Sequence, residues 1–283
     1  KDAVRFNEAC DSLIYGNHPW SVDIDSSAVE GVDMTLVEEI YRREFNPSLG
    51  MTVFIAGNLD EAKVKEYVRK YIASIPDGDK SVRKSGIKER VPSFKGVSEF
   101  SMTGKKEINP YTLVSRIFSS KVKPTTESIA AVDFVDYILS QRLLNQIREK
   151  RGGTYTIRFN STVSVREKGR SESEITFKTR PDLYRVLVGD LDDVISGFNA
   201  EGPTEKELEE ARTWLIKNNL ESKAKRSESM SHRNSQVMNY VRNGIDPNAD
   251  WEAAYKKVSA EDVRKASGKL TGGNSLTVIY TEE

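Results

Sequence analysis

The chain holds 283 residues, enough for about two domains at ~100–200 residues each. Lys plus Arg number 43 and Asp plus Glu 43, and that balance argues against a dedicated nucleic-acid binder, which carries a basic excess. Cys10 is the only cysteine, so an intrachain disulfide and the usual zinc-finger spacings are excluded, and no apolar run approaches the ~18 residues of a membrane-crossing helix.

In chain order, residues 1–15 predict a short helix with Val4, Ala9, Leu13 and Ile14 near one face. Lys1-Asp2-Ala3-Val4-Arg5-Phe6 lacks the apolar core of a signal peptide, and without an initiating Met the chain is expected to be a piece of something longer. Gly16-Asn17-His18-Pro19-Trp20 is a break. Asp33 caps a predicted helix to about Phe45, with Leu36, Ile40 and Tyr41 inward. After the turn Asn46–Gly50 comes a predicted apolar strand, Met51–Ala56. Asp60 caps the next helix, in which Val64, Tyr67, Val68, Tyr71 and Ile72 keep helical spacing.

Residues 76–96 are rich in Lys, Arg, Ser, Gly and Pro and poor in large apolar side chains, so a linker is placed at 81–95. Strands are predicted near 96–103 and 110–118, with Gly104-Lys105-Lys106 as the turn between them. Lys123-Pro124-Thr125 opens a long helix with Ile129, Val132, Val135, Ile138, Leu139, Leu143 and Ile147 inward. Alternating runs from Tyr155 to Val165 and over Ile175 to Thr179, joined at Glu167–Arg170, read as an antiparallel hairpin. Pro181 suits a helix start, with Val186, Leu187, Leu191, Val194, Ile195 and Phe198 inward. Thr204-Glu205-Lys206-Glu207 is a capping box for a helix to about Lys225. Helices over 228–243 and from Asp250 onward follow, and Ser275–Tyr280 is a final strand. The pattern predicts an α+β fold: an antiparallel sheet with helices on one face over 96–283, preceded in residues 1–80 by the back half of a similar domain.

Few residues carry chemistry. His18 and His232 stand outside any metal-ligand spacing, and Cys10 on a helix face reads as a small buried hydrophobe. Glu205, Glu207, Glu209 and Glu210 read as a solvated helix face. No nucleophile elbow and no phosphate-binding glycine loop occurs. The informative stretch is Leu143–Ile157: a helix end, a Gly152-Gly153 stop and a strand start. It puts Arg148 in the last helical turn and Tyr155 at the strand mouth. A guanidinium and a phenol there can both donate to a peptide carbonyl. On the residues alone the structural reading comes first: Arg148 complements the helix dipole and Tyr155 packs its ring inward with its hydroxyl wet. Arg148, Lys150 and Arg151 also offer a phosphate patch, against which the balanced charge and the lack of interleaved aromatics count.

Ile147–Gly152 followed by Tyr155 resembles the Arg/Tyr segment of pitrilysin/insulinase-type zinc metallopeptidases. Gly153 stands where family members often carry an apolar residue. His18-Pro19-Trp20, the segment from Phe45 to Pro76, and Gly202–Leu208 are similar to further landmarks of these domains. The match runs over nearly the whole chain and is nearest to the C-terminal part of a long bacterial member. The resemblance implies a substrate-binding half without zinc. Arg148 and Tyr155 would hold a peptide in an enclosed chamber against a zinc site on the N-terminal half. It implies zinc in the full-length parent, none in this chain, and an inactive isolated chain. The partners implied are that N-terminal half and a peptide substrate, with no nucleic acid and no membrane span, in the periplasm or cell envelope of a bacterium. The alternative is a non-catalytic peptide-binding or scaffold subunit of the same fold, distinguished by the absence of H-x-x-E-H upstream.

Overall fold

Helix α5 (Thr126–Leu143) is apolar on almost every face, and a helix of that kind has to be buried all round. In the computed structural model, which describes residues 2–16, 18, 26–45, 51–76, 91–165 and 167–283, it sits at the centre of the main core. Thr125 caps its start by accepting from the Ser128 amide. Ile129, Val132, Val135, Ile138, Leu139, Leu143 and Ile147 are all buried, as their spacing predicts.

The sheet that α5 covers has five strands: β1 (Val97–Gly104), β2 (Thr112–Lys121), β3 (Phe159–Ser164), β4 (Arg170–Thr179) and β5 (Asn274–Glu282). Their order is β1-β5-β2-β4-β3; β1–β5 is parallel and the other pairs are antiparallel. β5 therefore separates β1 from β2, which a turn at Gly104–Lys106 alone does not predict. The reason lies in β5 itself. Every residue from Ser275 to Glu282 is buried, and a strand covered on both faces belongs inside a sheet.

One face of the sheet packs on α5 and α10 (Ala260–Thr271) through Val114, Phe118, Phe159, Ile175, Phe177 and Ile279, in a core that also takes in α6 (Tyr184–Glu201) and α9 (Trp251–Lys257). On the other face Leu276, Val278 and Tyr280 meet Phe6 and Cys10 of α1 (Asp2–Tyr15). The inward stripe of α1 is thus Phe6 and Cys10, while the expected Val4 and Leu13 are exposed. Helix α7 (Glu205–Glu228) opens on the expected capping box, with both reciprocal bonds made between Thr204 and Glu207. Helix α8 (Met230–Asn243) ends on Gly244 at φ 75°. α6 starts three residues after Pro181, and its Val186 faces out. The β3–β4 hairpin turns through Lys168 and Gly169, both at positive φ, and a Cβ on Gly169 would lie 1.8 Å from the Val122 carbonyl oxygen.

By contacts, residues 1–16 and 92–283 form one unit and 17–91 a second. So α1, assigned by sequence to residues 1–80, makes its contacts with the sheet unit. The second unit carries α2 (Ser26–Glu30), α3 (Met34–Phe45) and α4 (Glu61–Tyr67), the last continuing as a π-helical turn over Val68–Ile72. Asp33 and Asp60 cap α3 and α4 as expected. Leu36, Ile40 and Tyr41 are exposed rather than inward. Met51–Ala56 forms no strand, because no neighbouring strand among the described residues offers it a ladder. The expected turns at Pro19–Trp20 and Asn46–Gly50, and linker residues 81–90, lie outside the described residues. No helix among the described residues is long and apolar enough to cross a membrane.

Candidate substrate-binding site

Helix α5 does not stop at Leu143. It widens into a π-helical segment, Leu144–Lys150, which carries Gln146, Ile147 and Arg148. Such segments are rare, and they recur at functional sites. Ile147 is buried and anchors the segment in the core. Gly152, at φ +61°, ends it: the Gly152 amide donates to the Arg148 carbonyl at 2.8 Å and the Gly153 amide to the Ile147 carbonyl at 3.0 Å. A Cβ on Gly153 would lie 2.6 Å from Leu187 of α6, so the absence of a side chain is what lets the chain pass there.

A second anchor is electrostatic. Asp190 on α6 is buried, 7% exposed, and three donors converge on it. Arg151 donates through Nε at 2.7 Å and Nη2 at 3.0 Å, a bidentate pair, and Gln146 donates through Nε2 at 3.3 Å. The Arg151 hydrogen bonds hold the Asp190 carboxyl below the usual carboxylate range against the opposing effect of burial.

Arg148 stands between these anchors and Tyr155 two residues beyond Gly153; these are the two residues singled out by sequence. Arg148 is half-exposed, with its guanidinium 3.6 Å from Glu149. Tyr155 is 91% exposed. It sits in a bend four residues ahead of β3 and not at the strand mouth, and Ile157 and Phe159 beyond it are buried. The parity that grouped Tyr155 with Phe159 therefore fails at Tyr155. No hydrogen bond joins Arg148 to Tyr155; the described structure leaves both with donors open to solvent.

The sequence reading passed over Asp133 and Asp136, the carboxylates among the apolar residues of α5. The signal was there: two acids three apart in an otherwise apolar helix. Asp133 Oδ2 accepts from the Tyr255 hydroxyl at 2.8 Å. Asp136 accepts from the Ser161 amide at 2.9 Å and the Ser161 hydroxyl at 2.7 Å, tying α5 to β3. Burial pushes the carboxyls up, Asp133 to about 6 and Asp136 to about 7, against these hydrogen bonds. Asp133 and Tyr255 also line two clefts, of about 340 and 500 Å³. Glu207, read as part of a solvated face, instead takes a bidentate bond from Arg142 at 2.7 and 2.8 Å.

His232 is held by Ser222 at 2.9 Å and Gln236 at 3.2 Å. Cys10 is buried, and burial pushes its thiol up to about 11. Among the described residues no three His, Cys, Asp or Glu side chains converge in a way that fits a metal ion. The donor set around Arg148 and Tyr155 is cationic and phenolic, chemistry that suits a carbonyl or an anion and does not suit zinc.

Residues 32–215 match the family model of the peptidase M16 inactive domain. The chain belongs to the peptidase M16 inactive-domain family. Among relatives of this family member, the probable zinc protease PqqL of Escherichia coli K12 is 25% identical over 235 residues, which take in 80% of this chain and 24% of PqqL. The chain thus spans about a quarter of that relative. The crystal structure of periplasmic PqqL from Escherichia coli superposes with a TM-score of 0.79 at 19% identity, over 99% of this chain and 30% of that one. A peptidase M16 inactive domain from Pseudomonas fluorescens gives 0.77 at 18% identity, over 100% and 66% of the two chains. The first half of PqqL, solved separately, gives 0.76 at 12% identity over 100% and 62%. The M16 fold, with its five-stranded sheet and packed helices, is therefore shared.

Proposed function

We propose that this chain is the substrate-binding portion of a zinc-dependent metalloendopeptidase, with Arg148 and Tyr155 donating hydrogen bonds to the backbone of a peptide. The observation that carries this reading is the contrast at one helix end. Ile147, Gly153 and Asp190 are packed or bonded, while the Tyr155 phenol between Gly153 and the buried Ile157 is 91% exposed. A large amphipathic side chain on an anchored loop is a ready hydrogen-bond donor at little cost in ordering. The protease name of PqqL supports the class of reaction. Zinc, which would activate the attacking water, belongs to the half of the parent outside this chain. Here the phenol of Tyr155 and the guanidinium of Arg148 would orient a peptide carbonyl and stabilise negative charge on its oxygen.

The reading of the chain as part of a longer parent also accounts for the second unit. Leu36, Val37, Ile40 and Tyr41 of α3, with Val53, Phe54 and Ile55, are all exposed, more apolar surface than a finished domain shows. In this reading residues 1–80 are the back half of a peptidase-like domain, 81–95 the linker and 96–283 a complete one. The missing front half would cover α3. The periplasmic setting of PqqL supports an envelope location, which cell fractionation with a periplasmic marker tests. For the site, Tyr155→Phe in the full-length parent is expected to lower kcat more than tenfold, since a donor acting at the transition state is worth ~10²–10³. Unchanged turnover rejects the role.

A further inference from the structure

Helix α6 offers the Arg148–Tyr155 loop two contacts one helical turn apart. Leu187 fills the space that a Gly153 side chain would need, and Asp190 takes the bidentate bond of Arg151 and the single bond of Gln146. Gln146 precedes Arg148 by two residues and Arg151 follows it by three, so one buried carboxylate ties down both sides of the half-exposed arginine. The backbone bonds of Gly152 and Gly153 close the helix end, yet they reach only back into the same helix. They cannot fix how that end lies against α6. The Asp190 bonds can, because they come from another element and are charge-assisted.

We propose that Asp190 is a positioning residue: through Arg151 and Gln146 it fixes the helix end and loop that present Arg148 and Tyr155 to a peptide. The proposal rests on the substrate-binding reading above. Asp190 touches no substrate in it. Its effect is on where two donors stand, and a misplacement of about 1 Å at such a site costs up to ~10²-fold in rate.

Two measurements test it, with Arg151→Ala beside Asp190→Asn because Arg151 is half-exposed and its removal opens no hole in the core. The first is amide hydrogen exchange on the whole 283-residue chain. Either variant speeds exchange at Gly152 and Gly153 by about tenfold or more, while Phe159, whose amide donates to Ser140 Oγ, stays within about twofold. Unmoved glycines overturn the proposal. The second is turnover by the full-length parent. Arg151→Ala lowers kcat about tenfold with KM within about threefold, and most of that loss vanishes in a Tyr155→Phe background. A full, additive loss in both backgrounds overturns it. If Tyr155→Phe alone leaves kcat unchanged, the substrate-binding reading falls and the positioning role with it. If Tyr155→Phe lowers kcat and the glycines are unmoved, the positioning role falls alone.

Discussion

At the scale of single residues, Gly153 shows how a loop is fixed by what it lacks. Its missing side chain leaves room for the methyl groups of Leu187, which would lie 2.6 and 2.8 Å from a Cβ. Overpacking of that kind costs about 1–3 kcal/mol, so Gly153→Ala is expected to lower the unfolding free energy by that amount, read as a lower urea midpoint. Combining it with Leu187→Ala, which empties the same space, is expected to cost clearly less than the sum of the two single changes. Equal additivity in urea melts counts against the contact. Arg148 and Tyr155 were legible in the sequence because a glycine stop and a resemblance marked them. Asp190 was not: nothing in its own neighbourhood distinguishes it, and its role exists only where the end of α5 meets α6. Tyr155 was misplaced by four residues because alternation alone does not say where pairing with β4 begins.

At the scale of elements, local rules held wherever local chemistry decides. The caps at Asp33, Asp60 and Thr204 all appear as read. Strand order was not legible, since β5 takes its place beside β1 from the far end of the chain. The tie between α5 and β3 carries a pH dependence. Burial raises the Asp136 carboxyl from 3.8 to about 7, so the folded state binds its proton more tightly than the unfolded chain does. Its contribution to stability is complete below about pH 4, falls as pH rises and is gone above about 7. Asp136→Asn keeps an acceptor for the Ser161 amide without the charge. The stability gap between variant and wild type is therefore expected to widen in the variant's favour from pH 4 to pH 7. A gap that stays constant across that range contradicts a raised Asp136.

At the scale of the whole molecule, the two units differ in what they bury. The unit of 1–16 and 92–283 holds the core around α5 and a second cluster under α1. Among described residues of 17–91 no side chain is fully buried, although α3 and residues 51–55 are rich in Val, Ile, Leu, Met and Phe. Sequence periodicity foresaw the apolar faces and not their exposure, because periodicity marks a face without saying what covers it. If the parent supplies that cover, an apolar dye such as ANS is expected to bind this chain several-fold more strongly than the full-length parent. Equal binding argues that no such cover exists.

The most direct test is a structure of the full-length parent holding a peptide. The Tyr155 phenol oxygen is expected within about 3 Å of a peptide backbone carbonyl, with Arg148 on the same stretch of peptide. A peptide bound elsewhere, with Tyr155 still in open solvent, contradicts the substrate-binding role of this helix end.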